Sequence, residues 1–342
     1  MEKLVLGIES SCDESAVALL RVQPEGTPEI LAEEISSQSN VHVHYGGVVP
    51  ELASREHLRA LPLLTDQVLR TAGVELAEID VVGVTAGPGL IGCLLVGIHF
   101  AEGLTMPHAI PLYGIHHIEG HVFAALLEHP HVAFPYLTLI ASGGHTEIHL
   151  IEGLGQYRLI ARTTDDAAGE AFDKAANLLG LGYPGGARLA ALADATPTTP
   201  FSLPLPLPRS AHFSFSGLKT AISLLVEEQA KNGEAVRGQI AKSVQAAIVQ
   251  SLCDKLYRAT REHNVRQVVV SGGVSANRLL RSQLKEQLSP LEVIFPSPLH
   301  CTDNAAMIAL VAALRALQGA KPGNIHAQSR WALESLTPPG VS

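Results

Sequence analysis

Three histidines fall within six residues, in Ile115-His116-His117-Ile118-Glu119-Gly120-His121. His117 and His121 are four apart, so on a helix they lie one turn apart on one face. Two imidazoles at that spacing can share a divalent ion, and two histidines with one carboxylate suit iron or zinc. The competing reading is ordinary core or surface histidine, since the chain holds 16 histidines. A zinc-protease pair needs Glu directly after the first histidine. Here Ile118 holds that place and Glu119 comes one later, turned by about 100° on a helix, so the protease reading is weak.

Asp303 is a candidate third ligand, at the end of a strand-to-helix loop of the kind that lines α/β sites. It could equally cap the helix that follows it. Asp13 and Glu14 sit in a polar first turn, Glu9-Ser10-Ser11-Cys12-Asp13-Glu14-Ser15. They could position an ion, a water or the attacking group, or merely be solvated. Asp165, Asp166, Glu170 and Asp173 suit a helix N-terminus. Asp173 could instead bond ribose hydroxyls or a polar substrate tail. Ser142-Gly143-Gly144-His145-Thr146 and Ser271-Gly272-Gly273 each follow a strand. Together they favour nucleotide binding, because turn amides hold phosphate and glycine lets backbone approach a ligand.

The elements that must position these residues alternate between strand and helix, which indicates an α/β fold. Strands are expected at 4–8, 16–20, 30–35, 81–84, 136–141, 147–151, 268–270 and 291–295. Helical spacing covers 51–72, with a break near Pro62, and recurs at Ile240, Val244, Ile248, Leu252 and Leu256. A further helix opens at Asp303 and runs to about Leu317. The hairpin with a small polar turn occurs once in each half, which suggests two related lobes with a nucleotide held in the cleft between them. Residues 196–208 hold five prolines and should be an extended surface segment. The turn-rich tail from Gly319 should be loosely held.

The chain has 342 residues, about two domains' worth. It is 46% hydrophobic and 17% charged, so it can bury a large core. Its formal charge of −9 excludes a strongly basic nucleic-acid clamp, although a local patch or a partner can still bind RNA. Four cysteines without a CxxC pair suit a reducing cytosol. The N-terminus lacks the apolar stretch of a signal peptide. The uncharged run 81–98 contains Pro88 and several glycines, so it reads as strand, loop and helix start rather than a membrane span.

The segments at 7–14 and 45–55, the histidine segment, 142–146, 165–174, Phe213-Ser214-Phe215-Ser216-Gly217-Leu218-Lys219, 271–278 and Thr302-Asp303-Asn304 follow one another in a familiar order. As a set they resemble the universal tRNA threonylcarbamoyladenosine transferase family, whose members were once called sialoglycoproteases, within the superfamily of actin, hexokinase and the heat-shock chaperone ATPases. The resemblance implies two α/β lobes with ribonuclease H-like, actin-like ATPase cores and an active-site cleft between them. The N-terminal lobe would cover 1–115, with the tail from about 320 to 342 packing back on it. The C-terminal lobe, 116–319, would carry the metal and most nucleotide contacts.

The same resemblance implies metal ligands at His117, His121 and Asp303, with His116 outside the set. The metal would be one divalent ion per chain, with Fe(2+) favoured and Zn(2+) the alternative. Substrate or nucleotide would contact Ile140, Ala141, Ser142, Gly143, Gly144, Asp173, Gly186 and Asn277. The reaction would move a threonylcarbamoyl group from threonylcarbamoyl-AMP to the exocyclic amine of adenosine 37 in tRNAs reading codons that begin with A, releasing AMP. Implied partners are tRNA, ATP or AMP, a paralogous inactive subunit and a small ATPase, in the cytoplasm and without membrane attachment. Two other readings use the same fold. A small-molecule kinase would need magnesium and an acceptor hydroxyl, and the histidine pair argues against it. A non-catalytic ATP-binding switch would tolerate loss of the metal ligands.

Overall fold

Short apolar runs bounded by polar turns pair into two sheets of the same design. The computed structural model describes residues 2–340 apart from 25, 198–200, 206 and 230–233. The first sheet joins β1 (Lys3–Glu9), β2 (Glu14–Val22), β3 (Glu29–Ser37), β4 (Val81–Gly87) and β5 (Leu112–His116) in the order β3-β2-β1-β4-β5. The second joins β6 (Tyr136–Ala141), β7 (Thr146–Gly153), β8 (Gln156–Arg162), β9 (Gln267–Ser271) and β10 (Glu292–Ile294) in the order β10-β9-β6-β7-β8. Taken from the opposite edge, the second order repeats the first. In each sheet the opening hairpin is antiparallel, β1 with β2 and β6 with β7. The next strand, β4 or β9, then adds in parallel to the first.

The helices, in chain order, are α1 (Ser39–His42), α2 (Pro50–Ala72), α3 (Ile91–Thr105), α4 (His117–Phe123), α5 (Ala168–Leu178), α6 (Gly186–Ala195), α7 (Ser216–Gln229), α8 (Glu234–His263), α9 (Arg278–Gln287), α10 (Pro298–Cys301) and α11 (Ala306–Leu317). None among the described residues is long and apolar enough to cross a membrane.

The chain divides into two compact units. One comprises Met1–Phe134, Glu152–Tyr157 and Pro296–Ser342; the other comprises Pro135–Ile151 and Arg158–Phe295. This division corrects the expected boundaries at 115/116 and 319/320, because it places His117, His121 and Asp303 in the first unit. The cause is α11, which packs against β1, β4 and α4. The approach is so close that a Cβ on Gly83 would stand 2.6 Å from the Ala312 Cβ, so only glycine fits there. The opposite face of this sheet buries Leu6, Ile8, Leu19 and Val82 with Leu61 and Val68 of α2. In the second unit, Leu137, Leu139, Ile148 and Val268 form one core with α5, α7 and α8.

Two further expectations differ from the structure, and a third is met in its described part. Helix α2 runs unbroken through Pro62, which lies on its exposed side. There the carbonyl freed by the missing N–H remains open to water, so the helix survives. The tail beyond Gly319 is held rather than loose. Tyr113 Oη donates to the Ala320 carbonyl at 2.9 Å, and the Gln328 amide donates to the Ala86 carbonyl at 2.8 Å. In the proline-rich segment, 198–200 and 206 lie outside the described residues. Its described part has Phe201, Leu203 and Leu205 packed on the second core, alternating with exposed Ser202 and Pro204.

Candidate functional site: a cation centre and a glycine-lined cavity

Strand β5 delivers the histidines. His116 ends the strand and is used up locally. Its Nδ1 accepts the Ile118 amide at 3.1 Å, and its Nε2 lies 3.0 Å from the Trp331 carbonyl. The turn into α4 then puts His117 and His121 side by side, ring centres 4.8 Å apart. Both Nε2 atoms converge on one oxygen of Asp303, at 3.5 Å from His117 and 3.1 Å from His121. These three side chains each offer a ligand atom within 4.8 Å of the others.

Asp303 does not cap α11. That helix begins at Ala306, and the side chain of Asn304 accepts the Met307 amide at 2.9 Å. Glu119 is also outside the set. It lies on the far side of α4, where its carboxylate meets Arg315 and Tyr157.

The surroundings favour a cation. His117 Nδ1 lies 3.0 Å from Glu9 Oε2 and 3.3 Å from Ser11 Oγ. A carboxylate behind a ligating imidazole fixes the ring and raises its basicity. Glu9 is itself fully buried and held by the Thr85 hydroxyl and the Ser11 amide, both at 2.6 Å. Burial works to lower the His117 pKa, but the Asp303 and Glu9 carboxylates outweigh it and hold it up at about 9. The arrangement thus retains a positive charge, which a divalent ion can supply in place of the proton. The other ring nitrogen of His121, Nδ1, is buried without a hydrogen-bond partner among the described residues. Two imidazoles and a carboxylate around a buried point fit iron or zinc by donor type.

Glu14 stands at the edge of this centre. Burial pushes its carboxyl up to about 9, and the charges of Asp303 and Asp13 add to that. Asp13 supports the loop through its backbone, where its carbonyl accepts the Gln38 amide at 2.9 Å.

The second unit contains a cavity of about 770 Å³. Gly143, Asp173, Gly186 and Asn277 line it; Ile140, Ala141, Ser142 and Gly144 are not among its lining residues. Ile140 and Ala141 are fully buried in β6, and the Ser142 amide and hydroxyl are both engaged by His145 within the turn. Gly169 backs that turn. A Cβ there would lie 2.6 Å from the Ser142 carbonyl oxygen and 2.8 Å from the Gly143 nitrogen. At Gly143 a Cβ would meet open space.

Asp173 and Asn277 are partly committed already. One Asp173 oxygen accepts the Gly185 and Gly186 amides at 2.9 and 2.8 Å, tethering the start of α6. Asn277 caps α9 through the Leu280 amide and donates to Gln245 at 2.8 Å. These two side chains therefore shape the cavity wall. Ala187, Ala190 and Ala191 of α6, with Phe172, give the lining an apolar face, while Asp194 and Arg278 bring charge to it. Sequence reading missed Glu9, Gly169 and this alanine face. The face could have been found from its helical spacing.

A duplicated sheet with this strand order defines an α/β protein of the actin-like ATPase fold, here carrying a histidine–histidine–aspartate cluster and a cavity. Solved structures agree on the fold. Component A of the (R)-2-hydroxyglutaryl-CoA dehydratase of Acidaminococcus fermentans matches with a TM-score of 0.54 at 18% identity, over 93% of this chain and 98% of that one. Full-length HypF in its phosphate- and nucleotide-bound form matches with a TM-score of 0.58 at 15% identity, over 93% of this chain and 55% of that one.

Sequence relatives narrow the class. The family profile of tRNA N6-adenosine threonylcarbamoyltransferase matches residues 29–310. Proteins of that name in Aromatoleum aromaticum and Syntrophotalea carbinolica are 48% and 46% identical, over 98% and 97% of both chains. The chain belongs to the tRNA N6-adenosine threonylcarbamoyltransferase family and is a transferase of tRNA modification.

Proposed function

We propose that the chain transfers a threonylcarbamoyl group from threonylcarbamoyl-AMP to the exocyclic amine of adenosine 37, with the first unit holding one divalent metal ion and the second holding the adenylate. The observation that carries the metal reading is the convergence of the His117 and His121 Nε2 atoms on one Asp303 oxygen. Bound there, the ion would act as a Lewis acid that stabilises negative charge developing on an acyl or phosphoryl oxygen. Fe(2+) is favoured by family resemblance, and Zn(2+) suits the same donors.

An exocyclic adenine amine is a poor nucleophile, so the acyl donor must be activated, and AMP is its leaving group. The turn at Gly143 offers backbone without side chains to the phosphate, and the alanine face of α6 offers an apolar wall to the base. Attack forms the N6–carbonyl bond, breaks the carbonyl–phosphate oxygen bond and releases one proton from the amine. We assign the taking of that proton to the Glu14 carboxylate. Burial and the charges of Asp303 and Asp13 push this carboxyl up to about 9, so it accepts only in its ionised form, and transfer should rise with pH towards that value. Asp13 is assigned to supporting the Glu14 loop.

A formal charge of −9 is a poor footprint for tRNA. A partner that supplies basic surface answers this. Leu58 and Leu63 of α2 and Ile91 and Leu95 of α3 are exposed apolar side chains suited to such a partner. The partners would be a paralogous inactive subunit and a small ATPase, in the cytoplasm. The test is incubation with threonine, bicarbonate, ATP, tRNA and candidate partners, followed by nucleoside mass spectrometry. Threonylcarbamoyladenosine is the expected product. Unmodified adenosine with every partner set would overturn the proposal.

A further inference from the structure

Helix α4 has only seven residues. So short a helix is not stable alone and takes its orientation from what it packs against. Its two faces are unlike. One presents His117 and His121. Glu119 is two residues from each, about 200° round the helix, and so points away from them. It is fully buried.

Both of its oxygens are engaged. Arg315 of α11 donates to it twice, from Nε at 2.9 Å and Nη2 at 2.5 Å, and the Tyr157 hydroxyl donates at 2.5 Å. Tyr157 Oη in turn accepts the Gly155 amide at 2.8 Å. Burial, with the Glu119 charge beside it, pushes the Tyr157 phenol well above its usual range, so it remains a donor.

Arg315 belongs to the helix whose preceding loop carries Asp303. The same two helices also touch at a second point. A Cβ on Gly120 would lie 2.9 Å from Met307 Cγ and 3.1 Å from Ile308 Cδ1, near the start of α11. Contact at Gly120 alone would let α4 roll about its axis. Each degree of roll moves the two imidazoles relative to the Asp303 oxygen. An ion pair anchored eight residues from Met307, toward the far end of α11, resists that roll.

We propose that Glu119, Arg315 and Tyr157 are positioning residues for the cation centre: they lock α4 against α11 and so set His117 and His121 at ligating distance from Asp303. This inference rests on the metal reading above. It also explains why two charges are kept out of water where well-packed apolar side chains often serve stability as well or better. Their return is register rather than stability.

The test compares metal affinity with the stability of the metal-free protein. Glu119→Met combined with Arg315→Met removes both charges and leaves none unpaired. Tyr157→Phe removes one hydroxyl and keeps the ring. Zn(2+) alone is titrated into each metal-free full-length chain against a competing chelator, and the Tm of the metal-free chain is recorded. Visible absorption after loading with Co(2+) reports ligand geometry.

The expected results are a Zn(2+) Kd raised about tenfold in the double variant and a few-fold in Tyr157→Phe, with an altered cobalt band and near-parental metal-free Tm. Parental Kd and cobalt band in a folded double variant would overturn the inference. If that variant does not fold, parental Kd and cobalt band in Tyr157→Phe overturn it instead. Failure of the parent chain to bind Zn(2+) or Fe(2+) at all would refute the metal reading itself, a distinct outcome.

Discussion

The proposed cation centre and the cavity are built in opposite ways. The centre is made of ionisable side chains on a short helix and a loop, backed at two places: Glu9 behind His117, and Arg315 and Tyr157 behind α4. The cavity is made of what is missing, namely side chains at Gly143, Gly169 and Gly186 and bulk along α6. A cation needs fixed donors of the right charge. An adenylate needs room, free amides and an apolar face. Damage should therefore differ in kind: removing a group at the centre abolishes binding and spares the fold, while adding a group at the cavity blocks binding.

The sharpest separation is expected from Asp303→Ser. Asn304, not Asp303, caps α11, so the fold and Tm should be kept while the chain loses its metal. Transfer should drop by about 100-fold or more, and His117→Ala should match it. Elemental analysis beside thermal melting checks this, and retained metal in Asp303→Ser would erase the contrast. At the cavity, Asp173→Ala removes an acceptor from two amides and should cost about 2 kcal/mol of stability along with nucleotide affinity. Asp173→Asn keeps an acceptor and should recover most of that in chemical denaturation.

A smaller effect is expected from Gly143→Val. Its side chain would enter open space, so Tm should move by under about 2 °C while AMP affinity falls about tenfold by calorimetry. Unchanged affinity would reduce the turn to a plain hairpin.

The smallest effect concerns pH. His300 Nδ1 lies 2.5 Å from Glu128 Oε1, and its Nε2 lies 3.4 Å from Glu33 Oε2. Burial opposes charge on His300, but Glu33 and Glu128 outweigh it and raise the pKa above the ordinary histidine value. A raised histidine stabilises fully below its unfolded value and loses that contribution as pH rises through the folded one. Melting of the metal-free parent should therefore decline from about pH 6.5 upward more steeply than that of His300→Leu. Parallel profiles would contradict the assignment.

Much of the fold was legible because its strands are short apolar runs between polar turns: Tyr136–Ala141 is a strand at the expected bounds. The unit boundary was not, since it depends on α11 returning to β1 and β4 across most of the chain. Pro62 misled because its environment, the exposed face of α2, decides whether a proline breaks a helix. At the centre, the four-residue spacing marked His117 and His121, the strand-to-helix loop offered Asp303 as ligand or cap, and family resemblance chose the ligand. Glu9 stayed hidden because its role comes from burial beside His117, which no spacing reveals. In the cavity, Asp173 and Asn277 were visible as polar residues, but their partners Gly185, Gly186, Leu280 and Gln245 show that each is partly spent on the wall.

The most direct test of the account is transfer from purified threonylcarbamoyl-AMP to unmodified tRNA, with the required partners present, using chelator-stripped chain before and after return of one equivalent of Fe(2+) or Zn(2+). The account predicts almost no threonylcarbamoyladenosine from the stripped chain, recovery on reloading, and no recovery in Asp303→Ser. Full-rate transfer by demonstrably metal-free chain would contradict it.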